Sequence, residues 1–237
     1  MSTAEKSTVA EIRARFDADV ERFSNLETGQ VATMDAALCL DLVTSAAAAA
    51  TTPIRRVLDV GCGAGNYSLK LREHGAAANA KFTLVDLSEP MLVRAKERLG
   101  PSAEATHQCD VRELVLADGS FDVILAAAVL HHLRTPDEWL RVFTSFHRWL
   151  RPGGSFWVFD LVVHEDARVN ELMWQRYREY LVGNGGDAYA EKVFAYIERE
   201  DTPTSLTFQL NLAAKCGFTR TDVLHKNGPF AAYGAIK

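Results

Sequence analysis

The sequence lacks the features that mark several protein classes. Its four cysteines are far apart and form no CxxC pair, which argues against a zinc ribbon or a disulfide framework and indicates reduced thiols. The formal net charge is −5, so we expect no general attraction to nucleic acid or to an anionic membrane. No apolar run approaches the ~18 residues of a membrane-spanning helix, and the polar N-terminus has no secretory apolar core. These absences predict a cytoplasmic protein.

The composition favours a globular domain. Hydrophobic residues make up 48% of the 237 positions and charged residues 24%, so the chain can bury a sizeable core. From residue 54 onward, short apolar runs alternate with amphipathic stretches. The runs predict strands at 54–60, 82–85, 103–109, 121–129 and 155–161, and the stretches between them predict helices at 67–74, 89–99 and 137–150. This alternation predicts an α/β fold, a Rossmann-like doubly wound sheet with right-handed crossovers.

The segments outside this alternation predict additions to the core. We expect an N-terminal helical segment at 1–50, a core at 51–163, an inserted helical lid at 164–203 and a completing segment at 204–237. The lid is predicted as two helices separated by the glycine-rich residues 183–186. The last segment predicts a helix at 205–215 and strands at 218–226 and 230–236, joined by the hairpin signal Asn227-Gly228. The expected sheet therefore has seven strands, mostly parallel, with an antiparallel C-terminal hairpin. In the N-terminal segment, helical spacing appears twice, at Ile12, Phe16, Val20 and Phe23, and at Met34, Leu38 and Leu42.

A glycine-rich turn follows the first predicted strand. Residues 57–65 are Val-Leu-Asp-Val-Gly-Cys-Gly-Ala-Gly. Glycines at this place permit a tight turn and let a ligand approach the backbone. The helix that follows offers an N-terminus that would receive a pyrophosphate in a dehydrogenase. The pattern alone leaves the choice of adenosine-containing ligand open.

Carboxylates end the next two predicted strands. Asp86 can accept both hydroxyls of a ribose, and Ser88 is better placed than Asp86 to cap the following helix. Asp110 can accept the exocyclic amine of an adenine, while the Val111 N–H can reach a ring nitrogen. The alternative for Asp110 is a solvated loop carboxylate.

Taken together, these residues resemble the class I S-adenosylmethionine (SAM)-dependent methyltransferases. The resemblance rests on residues 59–65, Asp86, 109–111, 121–124, 130–133 and the turn at 150–154. It implies SAM as the cofactor, with the glycine loop at the methionine part and two alanines on the sulfonium side. The implied cofactor-binding residues are Asp59, Gly61, Cys62, Gly63, Gly65, Asp86, Leu87, Asp110, Val111, Ala126 and Ala127.

Three alternatives remain open on the sequence. A nicotinamide-dependent oxidoreductase fits the same motifs, although its fingerprint prefers Gly or Ala where this chain has Asn66. A SAM-binding protein without catalysis is the second. Both termini are also similar to the carboxy-SAM synthases of tRNA wobble-uridine modification. The arginine with which those enzymes bind the added carboxylate falls at about Leu212, which favours ordinary methyl transfer.

The acceptor side is expected to take a small molecule, without a metal, by displacement at the sulfonium methyl. Such a reaction needs alignment and exclusion of water, and a base only if the nucleophile arrives protonated. The candidate catalytic residues are His131, His132, His164, Trp174 and Tyr177, and local packing is the alternative for each. The many apolar residues of 1–50 and 164–203 also predict a homodimer.

Overall fold

The computed structural model describes residues 6–25 and 31–237. Its helices are α1 (Val9–Ala18), α2 (Val20–Ser24), α3 (Ala36–Ala50), α4 (Asn66–Arg72), α5 (Glu89–Leu99), α6 (Pro136–Trp149), α7 (Ala167–Glu200) and α8 (Leu206–Lys215). Its strands are β1 (Arg56–Val60), β2 (Lys81–Asp86), β3 (Ala103–Gln108), β4 (Phe121–Ala127), β5 (Leu150–Leu161), β6 (Arg220–Asn227) and β7 (Phe230–Ile236). Short 3-10 helices occupy Gly75–Ala77, Gly100–Ser102 and Leu130–His132.

The strands form one sheet in the order β3-β2-β1-β4-β5-β7-β6. The first five are parallel, and β7 runs antiparallel to both β5 and β6. This arrangement confirms the predicted fold class and the hairpin, in which Asn227 lies opposite Phe230 and Gly228 has a positive φ of 52°. The strand order reverses between β1 and β4, and in open α/β sheets the ligand crevice lies at the carboxyl ends of the strands at such a reversal.

Alternate residues of the strands enter two apolar layers, one on each face of the sheet. Val57 packs in the layer that includes α3, α4 and α5, and its neighbour Leu58 packs in the layer under α6 and α8. The second layer is rich in aromatic rings, with Phe143 and Phe146 of α6 against Phe156 of β5. Residues of β1, β2 and β4 pack in both layers. The packing on both faces of the sheet therefore positions the ends of these strands, from which the cleft is built.

The structure confirms the predicted break between two helices of the lid. The segment α7 consists of two helices that meet at a kink at Gly186, whose backbone is not helical (φ 77°, ψ 178°). The break therefore falls at the last residue of the predicted range 183–186. Gly185 serves a different purpose, because a Cβ there would lie 2.7 Å from the ring of Tyr189. The glycines therefore allow both the kink between the two helices and the close packing of Tyr189 against Gly185.

The start of one strand and the buried face of one helix also differ from the prediction. β5 begins at Leu150 instead of 155, because Leu150 pairs with Phe121 before a register shift. In α3 the buried face is Cys39, Val43 and Ala47, whereas Leu38 is 48% exposed. The small buried side chains let α3 approach the sheet closely. The Phe23 side chain lies outside the described residues.

No helix in the described part of the chain is both long and apolar enough to cross a membrane.

Candidate cofactor and acceptor site

The loop after β1 is built on glycines in the left-handed region. Gly61, Gly63 and Gly65 have φ values of 64°, 49° and 81°, which side chains other than glycine adopt at a cost. A Cβ at Gly61 would lie 2.6 Å from Cγ2 of Val129, and one at Gly65 would lie 3.1 Å from Cβ of Ala95. A Cβ at Gly63 would meet no atom within 4 Å. Gly61 and Gly65 therefore serve packing, whereas Gly63 leaves space beside the cavity.

Asp86 ties the loop to the end of β2. Its carboxylate accepts the backbone N–H of Gly63 at 2.8 Å and that of Ser88 at 2.9 Å. Burial raises the pKa of Asp86, and these N–H donors act against that rise. Ser88 caps α5 by accepting the N–H of Met91 at 3.3 Å, which confirms the predicted cap.

Asp59 lies beneath the loop. Its Oδ2 accepts a hydrogen bond from Ser68 Oγ of α4 at 2.6 Å, which joins β1 to that helix. Burial raises the pKa of Asp59 to about 7, in spite of the hydrogen bond. The buried carboxyl group therefore holds its proton to a higher pH than an exposed aspartate does.

The cleft has two adjoining chambers at the carboxyl ends of the strands. The first is lined by seven of the eleven predicted cofactor residues, namely Asp59, Gly61, Cys62, Gly63, Asp86, Leu87 and Ala127. The second is lined by Gly61, Asp86, Leu87, Asp110 and Val111. The residues that belong to both chambers lie where a long ligand would pass from one to the other.

Two predicted cofactor residues line neither chamber. Gly65 precedes α4 and packs against α5. Ala126 is buried in the apolar layer beneath α6, because side chains alternate along β4 and Ala127 takes the cleft side. Of the two alanines expected beside the sulfonium, only Ala127 lines the cleft. The next residue, Ala128, also lines it and has a positive φ of 52°.

Asp110 has a partner that sequence reasoning missed. The guanidinium of Arg112 donates to both carboxylate oxygens, at 2.8 and 2.5 Å, and also reaches Glu138 at 2.7 Å. Burial acts to raise the pKa of Asp110, but Arg112 outweighs it and holds that pKa below its ordinary value. The spacing Asp-Val-Arg was a signal for this pair. An adenine amine would share Asp110 with Arg112.

A cluster of histidines and acids lies beside the first chamber. His131 and His132 follow β4, Asp160 lies near the end of β5, and Asp201 follows α7. Asp160 accepts the backbone N–H of Leu130 at 2.7 Å and also contacts Nδ1 of His131. Oδ1 of Asp201 is 3.6 Å from Nε2 of His131 and 3.4 Å from Nδ1 of His132.

The two histidines differ in charge and in access to the cleft. Burial acts to lower the pKa of His131, but Asp160 and Asp201 outweigh it and raise that pKa to about 9. Burial lowers the pKa of His132 well below its ordinary value. His132 lines both chambers and His131 lines neither. The solitary acid at the end of the apolar strand β5 was a sequence signal for Asp160, and nothing in the sequence singled out Asp201.

Helix α1 contributes one side chain to the wall of the cleft. Phe16 lines the first chamber, and its ring meets that of His132 edge to face with centroids 6.2 Å apart. The neighbouring Arg15 pairs with Glu200 at 2.9 Å, and its guanidinium lies 4.3 Å from the ring centroid of Tyr196. These contacts fasten α1 to the C-terminal end of α7.

The sequence is similar to those of known methyltransferases and related enzymes. Residues 57–154 match a family model described as a methyltransferase domain. The carboxy-S-adenosyl-L-methionine synthase of Vibrio atlanticus (strain LGP32) is 27% identical over 190 residues, which cover 78% of this chain and 77% of that protein. These matches support a class I SAM-dependent methyltransferase. SAM is therefore its cofactor, and the nicotinamide-dependent alternative is set aside.

Solved methyltransferases share the fold. The 1,6-didemethyltoxoflavin-N1-methyltransferase of Burkholderia thailandensis superposes with a TM-score of 0.62 at 21% identity, covering 100% of this chain and 93% of that one. Human N-acetylserotonin methyltransferase superposes with a TM-score of 0.63 at 17% identity, covering 98% of this chain. This chain spans 63% of the human protein.

The remaining catalytic candidates lie away from the cleft of this methyltransferase. Trp174 and Tyr177 belong to an aromatic cluster with Phe194, and Tyr177 is only 1% exposed. The hydroxyl of Tyr177 donates to the carbonyl of Ala32 at 2.7 Å. Nε2 of His164 lies 2.5 Å from Nζ of Lys226. None of these three candidates lines either chamber, so their positions favour packing over contact with an acceptor.

Proposed function

We propose that this methyltransferase transfers the methyl group of SAM to a small-molecule acceptor by direct displacement at the sulfonium. The observation that carries the proposal is the cover over the cavity beside the glycine loop. Phe16 and Thr33 contribute to its wall from the chain that precedes β1, and Arg15 fastens α1 in place. A macromolecular acceptor needs an open approach to the methyl group, whereas a small molecule fits a covered cavity.

The residues of the cleft fit SAM. The space beside Gly63 is open, so the methionine part can lie against the backbone of the loop. Each oxygen of Asp86 accepts one backbone N–H and keeps a lone pair for a ribose hydroxyl. In this proposal the chamber beside Asp110 and Val111 takes the adenine. SAM supplies the electrophilic methyl group when bound, and the chain aligns the acceptor and excludes water.

Two polar side chains of the cavity can orient the acceptor. Tyr67 and His132 line the first chamber. Among the described residues, neither the hydroxyl of Tyr67 nor a ring nitrogen of His132 makes a hydrogen bond. Since burial keeps His132 neutral, its ring can both accept and donate a hydrogen bond. A base with so low a pKa removes protons weakly at neutral pH, so orientation is the role that we assign to it.

The names of two structural neighbours support a small acceptor. One methylates 1,6-didemethyltoxoflavin and was solved with that molecule bound, and the other is named for N-acetylserotonin. Both share the fold of this chain at low sequence identity, so they support the size of the acceptor and not its identity.

A SAM-modifying activity is the second candidate, because a carboxy-SAM synthase matches over 77% of its own length. Leu212, the position expected to carry the carboxylate-binding arginine, is buried in the apolar layer beneath α6 and α8. An apolar side chain at that position favours ordinary methyl transfer. Mass spectrometry of the nucleoside that copurifies with the protein distinguishes the two activities, since only a synthase would retain a carboxylated SAM.

The test of the proposal follows the methyl group. The protein is incubated with methyl-labelled SAM and a cell extract that has been divided by ultrafiltration into small molecules and macromolecules. We expect label to move into the small-molecule fraction and SAM to become its demethylated product. Label that enters only protein or nucleic acid would contradict the small-acceptor proposal, and a boiled-enzyme sample controls for chemical methylation.

A further inference from the structure

The cluster beside the cleft contains buried polar atoms that the proposed methyl transfer leaves unexplained. Asp201 is buried, and among the described residues its Oδ1 makes no hydrogen bond, nor does either ring nitrogen of His132. A buried carboxylate oxygen without a donor is costly. Oδ1 faces Nε2 of His131 at 3.6 Å and Nδ1 of His132 at 3.4 Å, so two imidazoles surround it without completing a hydrogen bond.

Asp160 determines which nitrogen of His131 is available. Asp160 accepts backbone N–H groups from Leu130 and Leu161, both at 2.7 Å, and its position is therefore fixed. Its carboxylate contacts Nδ1 of His131, which holds a proton on that nitrogen and directs Nε2 toward Asp201, where a bound cation would take the place of the second ring proton. The backbone N–H of Thr202 donates to the carbonyl of His131 at 2.7 Å, which holds the two segments together.

We propose that Nε2 of His131, Nδ1 of His132 and Oδ1 of Asp201 bind a divalent transition-metal ion of the zinc type. The three atoms lie within 4.8 Å of one another. Ligands about 2.0–2.1 Å from a tetrahedral ion are about 3.4 Å apart, and the two distances to Asp201 are close to that value. A carboxylate behind a metal-bound imidazole, as Asp160 is behind His131, is a recurrent partner that fixes the ring.

The donor set selects the kind of ion. Two imidazole nitrogens and one carboxylate oxygen suit zinc and its neighbours, whereas magnesium and calcium prefer oxygen ligands. Asp160 and Asp201 supply negative charge, and the nearby Arg15 is paired with Glu200. Because His132 lines the cavity, the ion would lie at the cavity wall, where water or an acceptor oxygen can complete its coordination.

The test measures metal binding by the full chain without SAM, so its outcome is independent of the proposed methyl transfer. Chelator-treated protein is titrated with Co²⁺, whose visible absorption reports tetrahedral coordination, and then with Zn²⁺ and Mg²⁺. We expect one Co²⁺ per chain, displacement by Zn²⁺ and no competition from Mg²⁺. Asp201→Asn should weaken binding by at least the roughly 10–100-fold that loss of an outer-shell partner costs.

His225→Gln is the matched control. His225 also pairs with an acid, Asp35, at 2.8 Å, but among the described residues no third metal-ligating side chain joins that pair. Metal binding should therefore be unchanged in this variant. If Asp201→Asn fails to fold by circular dichroism, His132→Gln replaces it and should lose binding in the same way. The proposal is overturned if the wild type takes up no stoichiometric Co²⁺, or if a folded variant of Asp201 or His132 binds it as the wild type does. If the wild type takes up no Co²⁺, the positive charge between the carboxylates of Asp160 and Asp201 is that of a protonated His131.

Discussion

At the scale of single residues, the glycines of the loop have separable roles. Gly63 and Gly119 both have positive φ, 49° and 66°, and a Cβ at either would meet no atom within 4 Å. Alanine should therefore cost each site a similar backbone strain of about 1–2 kcal/mol. Only Gly63 lines the cleft, so we expect Gly63→Ala alone to weaken SAM binding. Calorimetric titration and chemical unfolding of both variants check this, and equal SAM affinity in the two would remove Gly63 from the site.

Asp59 gives a pH dependence that can be measured. Burial raises its pKa to about 7 in the folded protein, whereas the unfolded chain has the ordinary, lower value. Between these two pKa values Asp59 is ionised in the unfolded chain but still protonated in the folded protein. Folding therefore becomes less favourable as pH rises, and this loss of stability is complete above about pH 7. Asp59→Asn keeps an acceptor for Ser68 and removes this ionisation. We expect the wild type to lose stability relative to Asp59→Asn between about pH 4 and about pH 7 in urea unfolding. A gain in stability over that range would contradict the buried, protonated state.

Residue roles that depend on local pattern could be predicted, and those that depend on distant partners could not. The glycine loop and Asp86 follow strands, so their places at the sheet edge follow from the fold class. Asp201 directly follows the second helix of α7, which begins after the kink at Gly186 and ends at Glu200. The sequence indicated the break between the two helices, but no local pattern indicated that the end of the second helix lies beside the cleft. Arg112 was passed over although it stands two positions from Asp110, because the carboxylate was assigned to a ligand alone.

At the scale of elements, α1 is the cover that the sequence had assigned mainly to the helices of 164–203. Helix α7 acts on the cleft indirectly: its Tyr177 and Tyr180 donate to the carbonyls of Ala32 and Val31 at 2.7 and 2.9 Å, next to the cavity residue Thr33. The spacing of apolar residues and the composition predicted the helical segments at 1–50 and 164–203. Which of them faces the cleft depends on tertiary contacts, such as that between Arg15 and Glu200, that no local pattern encodes.

Removing the Arg15 contact should loosen this cover. Arg15→Ala removes the pairing with Glu200 and the hydrogen bond to the Tyr196 hydroxyl at 2.7 Å, and leaves a buried carboxylate unpaired at a cost of about 1–3 kcal/mol. We expect faster hydrogen exchange in α1 and a higher KM for the acceptor. Arg56→Ala, which breaks an exposed pair with Glu104, should change neither. Exchange in α1 that is identical in both variants would show that Arg15 does not fasten the helix.

At the scale of the whole molecule, exposed aliphatic side chains support the prediction of a homodimer. Val31, Leu38, Val169 and Leu172 are large exposed hydrophobic residues, and all lie in the segments 1–50 and 164–203. We propose that part of this surface is buried between two chains. Light scattering should give twice the chain mass of 26.2 kDa, and Leu172→Glu should shift the mass toward the monomer. Val115→Glu, at an exposed position outside these segments, should not, and a monomeric wild type at micromolar concentration would refute the prediction.

The central claim is that the two-chambered cleft holds SAM through Asp86. A calorimetric titration of three proteins with SAM and with NADH tests this claim most directly. The wild type and Asp118→Ala, which removes an exposed carboxylate paired with Arg148, should bind SAM with micromolar affinity and NADH not at all. Asp86→Ala should bind SAM more weakly by about 1–3 kcal/mol, the size of a lost charge-assisted hydrogen bond. Unchanged SAM affinity in a folded Asp86→Ala protein would contradict the account.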